Sequence, residues 1–226
     1  MALEQDVAAL SVLVEPQRRR LYEALAATTT PRTLGEVAAE LGIGRTLAAF
    51  HLNKLTEAGL VEAVAAAPVA GRRGRPSRTF RLTAHEVSAA VPARRYDLVA
   101  EVLLAAASEQ QPGEPLEAAA RRTARARGVA LAQDVKPDRR SGPRRRVELV
   151  LASLGYRPAR EGPTLVLRNC PFSRLRDTDV GLVCGINHGL AEGYVEGVGA
   201  AGELTAELRP CGDNCCVVVT PAATAT

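Results

Sequence analysis

Residues 42–61 read Gly42-Ile-Gly-Arg-Thr-Leu-Ala-Ala-Phe-His-Leu-Asn-Lys-Leu-Thr-Glu-Ala-Gly-Leu-Val61, which predicts a helix between two glycine stops. The apolar side chains of this helix recur at i, i+4 and i+7 and would form its buried face: Ala48, Leu52 and Leu55. The side chains expected on the outer face are small or polar: Arg45, Thr46, Ala49 and Asn53. One packed side and one small or polar side is the pattern of a DNA recognition helix.

The residues before this helix predict a helix-turn-helix. Pro16 opens a helical pattern that has Leu21 and Leu25 on its apolar side. Thr33 and Glu36 have the spacing of a capping box at the start of a second, shorter helix, and Gly42 would end that helix. Helix, short helix, glycine turn and helix follow each other in the order of a helix-turn-helix.

A basic hairpin is predicted after the recognition helix. Residues 60–64 and 79–82 have the pattern of two short strands, and residues 71–81 hold five arginines and no acidic residue. A hairpin with such a tip is typical of a wing that contacts DNA phosphates. The predicted DNA contacts are therefore the helix residues Arg45, Thr46, Ala49, Asn53 and Lys54 and the wing residues Arg72, Arg73, Arg75 and Arg78.

Charge is distributed unevenly along the 226 residues, whose formal net charge is +4. Residues 1–86 carry a net +2 and residues 87–146 a net +5, whereas residues 147–226 carry a net −3. The basic part can meet a polyanion such as DNA. The sequence has no apolar run long enough to span a membrane and starts without a signal-peptide pattern, so we expect a cytoplasmic protein with no membrane contact.

These patterns predict an α+β protein with four segments. Residues 1–86 would form a winged helix-turn-helix. Residues 87–133 would form alanine-rich helices that hold a homodimer together, the alternative being a plain spacer. Residues 134–146 are rich in charge, proline and glycine and are predicted to be a linker. Residues 147–226 would form a small α+β sensor domain.

All five cysteines lie in the last segment: Cys170, Cys184, Cys211, Cys215 and Cys216. Clustered cysteines in a cytosolic protein are more often metal ligands or redox groups than structural disulfides. Here they fall at the ends of predicted elements that can converge, which suits a soft metal or an iron–sulfur cluster.

The spacing of the cysteines leaves the ligand set open. No tight C-x₂-C pair is present, so a zinc ribbon is a poor match. Cys215 and Cys216 are adjacent and would point to opposite faces of a strand, so we expect only one of them to join a site easily. His188 follows Cys184 by four residues and is a possible ligand, although a buried histidine bonded to the backbone is the preferred interpretation.

Several motifs resemble a known family. The segment Phe50-His51-Leu52-Asn53-Lys54-Leu55 and the later Gly74-Arg75-Pro76 resemble winged helix-turn-helix regulators of the broad ArsR/DeoR type. Other segments resemble the C-terminal domain of SufR-type regulators, which are iron–sulfur-binding repressors of the cluster-assembly operon: Arg168-Asn169-Cys170-Pro171-Phe172, Leu182-Val183-Cys184-Gly185-Ile186-Asn187 and Cys215-Cys216-Val217-Val218.

The resemblance implies a 4Fe–4S cluster held by Cys170, Cys184 and Cys215. The chain departs from the family pattern in having an extra cysteine, Cys211, and a histidine at position 188. A fourth ligand therefore stays open among Cys211, Cys216 and His188.

Three functions remain. The leading one is a homodimeric repressor that binds a palindromic operator in double-stranded DNA and releases it when iron shortage, oxidants or nitric oxide remove the cluster. The second is a zinc or thiol-redox sensor on the same scaffold, using Cys184, His188, Cys211 and Cys215. The third is a cysteine-dependent enzyme with an appended winged helix, which is disfavoured because a catalytic cysteine needs a histidine base and only His188 is near in sequence.

Overall fold

The computed structural model shows an α+β protein made of two compact units, Met1–Ala89 and Ala90–Thr226. The first unit holds the helix-turn-helix with a small wing sheet, and the second holds the central helices and an antiparallel sheet next to the cysteines. Within the part of the chain that the structure describes, no helix is long and apolar enough to cross a membrane. The described residues are 2–65, 78–84, 86–135, 138, 140–209 and 215–223.

The first unit contains four helices and a three-stranded sheet among its described residues. Its elements are α1 (Ala2–Val12), α2 (Pro16–Ala26), β1 (Arg32–Thr33), α3 (Leu34–Leu41), α4 (Arg45–Glu57), β2 (Val61–Ala65) and β3 (Arg78–Leu82). The sheet has the order β1-β3-β2, and β2 pairs with β3 in the antiparallel register that places Val61 opposite Leu82. The two strands of the predicted hairpin are therefore confirmed, whereas its tip lies outside the described residues.

Local signals set the ends of the helices in this unit. The predicted capping box is confirmed, because the Thr33 hydroxyl accepts a hydrogen bond from the Glu36 amide at 3.2 Å and the Glu36 carboxylate accepts one from the Thr33 amide at 2.7 Å. Gly42 ends α3 with a φ of 65°, a conformation that favours glycine. The predicted buried face of α4 is confirmed, since Ala48, Leu52 and Leu55 are fully buried.

One helix in this unit escaped prediction. Residues 1–15 have a weak pattern, yet α1 forms there, and Ala9 is buried in the same core as Leu21 and Leu25. The mixed composition of α1 hides its buried side, because only a few of its residues reach the core.

The second unit combines helices with a four-stranded antiparallel sheet of order β4-β5-β7-β6. Its elements are α5 (Tyr96–Glu109), α6 (Leu116–Val135), α7 (Pro143–Ser153), β4 (Pro158–Glu161), β5 (Thr164–Leu167), α8 (Ser173–Arg176), α9 (Val180–Gly197), β6 (Leu204–Leu208) and β7 (Val217–Pro221). Side chains of α5 and α6 share one hydrophobic core with those of the sheet. Helix α6 extends into the start of the predicted linker at 134–146, and α7 begins before its end. The role of α5 and α6 in a dimer stays a prediction.

Helices α6 and α9 pack against each other at backbone distance. A Cβ atom placed on Gly193 of α9 would overlap the Arg125 carbonyl oxygen of α6 and lie 2.8 Å from the Cα atom of Gly128. Ion pairs flank the contact on its exposed edge, at 2.8 Å between Arg121 and Glu192 and at 2.9 Å between Arg125 and Glu196. Glycine at this position is therefore required by packing.

We predict that Gly193→Ala lowers the free energy of unfolding of the second unit by about 2–3 kcal/mol, because overpacking forces the two helices apart. Gly185→Ala is the matched control on the same helix, since a Cβ atom there meets nothing within 4 Å. That change should leave stability unchanged or raise it by up to about 1 kcal/mol, because alanine favours helices. Urea denaturation followed by circular dichroism measures both, and equal effects of the two changes would contradict the assigned packing.

Candidate DNA-binding surface and cysteine cluster

The outer face of α4 is open to solvent. Of the five predicted DNA contacts on α4, Ala49 is half-buried and the other four are exposed: Arg45, Thr46, Asn53 and Lys54. Two apolar side chains that we did not predict are exposed as well, Leu47 at 44% and Phe50 at 53%. Both lie outside the i, i+4, i+7 series of buried residues, so this spacing could have predicted that they are exposed.

Some of the basic side chains near this surface form ion pairs with neighbouring carboxylates. The Lys54 ammonium lies 2.7 Å from the Glu57 carboxylate, and the Arg81 guanidinium donates to Glu62 at 2.6 Å across the wing strands. Arg78 is exposed at the start of β3. The other predicted wing residues lie outside the described residues: Arg72, Arg73 and Arg75.

Four of the five cysteines meet beside one turn of α9. The Cys184 and Cys216 sulfurs lie 3.2 Å apart. The amide nitrogen of Asn187, three residues after Cys184, lies 3.0 Å from the Cys215 sulfur and 4.0 Å from the Cys170 sulfur. Sulfur atoms from the turn after β5, from α9 and from the segment before β7 are thus brought together, while Cys211 lies outside the described residues.

The expectation that Cys215 and Cys216 point to opposite faces of a strand is wrong. Strand β7 begins only at Val217, so neither cysteine belongs to it and the alternation of side chains does not apply to them. Cys215 turns towards Asn187, whereas Cys216 turns towards Cys184. Both sulfurs therefore lie at the same cluster.

Three thiols of the cluster differ in acidity: Cys170, Cys184 and Cys215. A hydrogen bond from the Cys215 thiol, helped by the positive charges of Arg176 and Arg94, lowers the pKa of Cys170 to about 7 although burial opposes this. Burial and the neighbouring Cys216 raise the pKa of Cys184 to about 12. The hydrogen bond to Cys170 and burial also raise the pKa of Cys215. Of these three thiols, Cys170 is therefore the one that ionises near neutral pH.

His188 is turned towards the sheet. Its Nε2 atom lies 3.0 Å from the Ala206 carbonyl oxygen of β6, and the Glu192 carboxylate is 3.9 Å away. This is the backbone-bonded arrangement that we preferred for His188 in the sequence. Among the described residues, no three histidine, cysteine or acidic side chains are grouped around a point that fits a single metal ion.

A polar network that we did not predict surrounds the turn of Cys170. The Arg94 guanidinium donates to the Asn169 side-chain oxygen at 2.8 Å and to the Cys170 carbonyl oxygen at 3.0 Å. The Asn169 amide donates to the carbonyl oxygens of Gly155, at 2.6 Å, and Ala93, at 3.3 Å. These bonds join residues far apart in sequence, and only the position of Asn169 beside a cysteine could have hinted at them.

Comparison with protein families gives a match to the helix-turn-helix domain over residues 13–64. A comparison with curated proteins gave no match. The matched residues cover α2, α3 and α4 and end in β2, which are the elements that carry the predicted recognition helix. The first unit therefore contains a helix-turn-helix domain, a fold whose usual role is to bind DNA.

We predict that iodoacetamide alkylates Cys170 roughly tenfold faster than Cys184 in the metal-free, reduced protein at pH 7, because the thiolate is the reactive form. The rate at Cys170 should rise with pH and level off above its pKa of about 7. Timed alkylation with peptide mass spectrometry measures both rates.

Cys215→Ala should move the midpoint for Cys170 to higher pH, because it removes the largest cause of the lowered pKa. Cys216→Ala is the matched control and should leave the midpoint in place. An unchanged midpoint in the Cys215 variant would show that the thiol hydrogen bond does not set the acidity of Cys170.

Proposed function

We propose that the protein is a transcriptional repressor whose second unit binds an iron–sulfur cluster, with Cys170, Cys184 and Cys215 as ligands. The observation that carries this proposal is the meeting of four cysteine sulfurs from three chain segments in a chain that also has a helix-turn-helix domain. Cysteine thiolates are the usual ligands of iron–sulfur clusters. The resemblance to SufR-type regulators supports a 4Fe–4S cluster and control of cluster-assembly genes in response to iron or to oxidative and nitrosative stress.

The chemistry of the donors fits such a group. Cys170 loses its proton near pH 7 and so offers a thiolate, which is the form that binds iron. A cluster with several irons offers a separate binding position to each of the three cysteine ligands. When bound, the cluster would supply a group that iron shortage, oxidants or nitric oxide can remove.

The DNA-binding half of the proposal rests on α4. A homodimer would place one α4 in each of two major grooves about one helical turn apart on a palindromic operator. Arg45 and Asn53 are exposed on α4, and their side chains can form paired hydrogen bonds with guanine and adenine edges. Helices α5 and α6 would supply dimer contacts, in keeping with Leu104, which is 72% exposed on α5.

We predict that protein purified without oxygen and reconstituted with iron and sulfide is brown and contains stoichiometric iron and sulfide. Separate alanine variants of Cys170, Cys184 and Cys215 should lose the visible absorption, because each removes a ligand. Cys216→Ala removes a cysteine of the same cluster that is not one of the three proposed ligands, and it should keep most of the absorption. A wild-type protein that stays colourless and binds zinc instead would refute the cluster and support the zinc alternative.

We predict that Arg45→Ala weakens binding to the preferred DNA duplex roughly tenfold to a hundredfold, which is the usual contribution of a base-reading arginine. The duplex is first selected by the wild-type protein from a random pool, and fluorescence anisotropy then measures affinity for it and for an unrelated duplex. Arg140→Ala, an exposed arginine of the second unit, is the control and should leave affinity unchanged. Equal losses on both duplexes would show that Arg45 contacts phosphates and does not read bases.

A thiol switch is the second candidate, and the pair of Cys184 and Cys216 favours it. Their sulfurs lie 3.2 Å apart and need to approach to about 2.05 Å to form a disulfide. Oxidation by hydrogen peroxide would release two protons and two electrons from the two thiols, and the peroxide would become two waters. Metal-free protein that releases DNA on adding peroxide, and regains it with dithiothreitol, would support this function over the cluster.

A further inference from the structure

A buried amide lies among the sulfur atoms. Asn187 follows Cys184 by three residues on α9, so both side chains project from the same side of the helix. Its side chain is almost fully buried, and the residue is 1% exposed. Burying an amide costs free energy unless its polar atoms are hydrogen bonded. Both polar atoms of the Asn187 side chain therefore need partners.

Tyr156 holds the oxygen atom of this amide. The Tyr156 hydroxyl donates a hydrogen bond to Asn187 Oδ1 at 2.6 Å. Burial raises the pKa of Tyr156 well above its ordinary value, so the hydroxyl keeps its proton and stays a donor. Because this hydrogen bond fixes the side-chain oxygen, the amide nitrogen points in the opposite direction. The nitrogen lies 3.0 Å from the Cys215 sulfur and 4.0 Å from the Cys170 sulfur.

We infer that Asn187 is a positioning residue of the cysteine site, which donates N–H hydrogen bonds to the sulfurs of Cys215 and Cys170 and stabilises them as negatively charged ligands. The inference rests on the proposed function, because it gives Asn187 a role towards the group that these cysteines would hold. Partners of metal ligands, including donors to cysteine sulfur, tune metal affinity and reduction potential. Tyr156 acts one step further away by fixing the orientation of the amide.

Cadmium is a suitable probe, because Cd²⁺ binds thiolates directly and its sulfur-to-metal charge-transfer band reports the electron density on sulfur. Asn187→Leu removes the donor at similar size, and Tyr156→Phe removes only the hydroxyl that orients it. Tyr96→Phe is the matched control, since the Tyr96 hydroxyl of α5 is buried without a hydrogen-bond partner among the described residues. Circular dichroism melting identifies any variant that fails to fold.

Asn187→Leu should weaken Cd²⁺ binding roughly tenfold to a hundredfold, the usual effect of losing a partner of a metal ligand. It should also move the charge-transfer band to longer wavelength, because the sulfur lone pairs lose the donor that lowers their energy. Tyr156→Phe should shift the band in the same direction by a smaller amount, and Tyr96→Phe should leave it in place. The band position distinguishes hydrogen bonding from a loss of fold, which weakens binding without moving the band.

A second measurement uses the protein reconstituted with iron and sulfide. Its midpoint reduction potential should become more negative in Asn187→Leu and Tyr156→Phe, because the donor favours the more negative, reduced state. An unchanged charge-transfer band and potential in both folded variants would overturn the inference. Wild-type protein that binds Cd²⁺ and responds to the variants, yet takes up no iron, would overturn the cluster and leave the role of Asn187 standing. Uptake of neither metal would overturn both.

Discussion

The close contact between α6 and α9 is the constraint on which the second unit depends. Gly193 lets the two helices approach at backbone distance, since any side chain there would overlap the Arg125 carbonyl of α6. Cys184 precedes Gly193 by about two and a half helical turns and therefore lies on the opposite side of α9. Packing on one side of the helix thus fixes where Cys184 and Asn187 stand relative to Cys170 and Cys215. The sulfur cluster is a consequence of a glycine contact that involves none of its own residues.

The sequence was most informative where a few neighbouring residues decide the structure. The capping box of Thr33 and Glu36 is a local pattern, and the structure has it. Strand β4 has no such local pattern, because it opens with a proline and carries charges, and only its pairing with β5 makes it a strand. The grouping of the cysteines could be expected, but their partners could not. Tyr156 and Asn187 are 31 positions apart, and no local pattern records their hydrogen bond.

Burial sets a condition on what the cysteine cluster can hold. Cys184 and Cys215 are 7% and 1% exposed, and their surroundings raise the pKa of both thiols, so they keep their protons near neutral pH. A charged thiolate in such a place needs compensation by a cation or by hydrogen-bond donors. The proposed cofactor would have to displace these protons, which makes its binding depend on pH and on donors such as Asn187. The acidic Cys170 would provide the first thiolate, and the others would lose their protons only when iron is bound.

Under the proposed function, a structural change at the cysteines must also be transmitted along the chain to the DNA-binding unit. Arg94 holds the carbonyl oxygen of Cys170, and the Arg95 amide donates to the Pro171 carbonyl at 3.2 Å. These bonds fasten the segment just before α5 to the turn that carries Cys170. Residues 90–95 follow directly, along the chain, from the end of the first unit at Ala89. Under this proposal, a ligand that moves the turn of Cys170 also moves the start of α5. The free energy by which it favours one dimer geometry equals the difference between its binding free energies for the two arrangements of this turn.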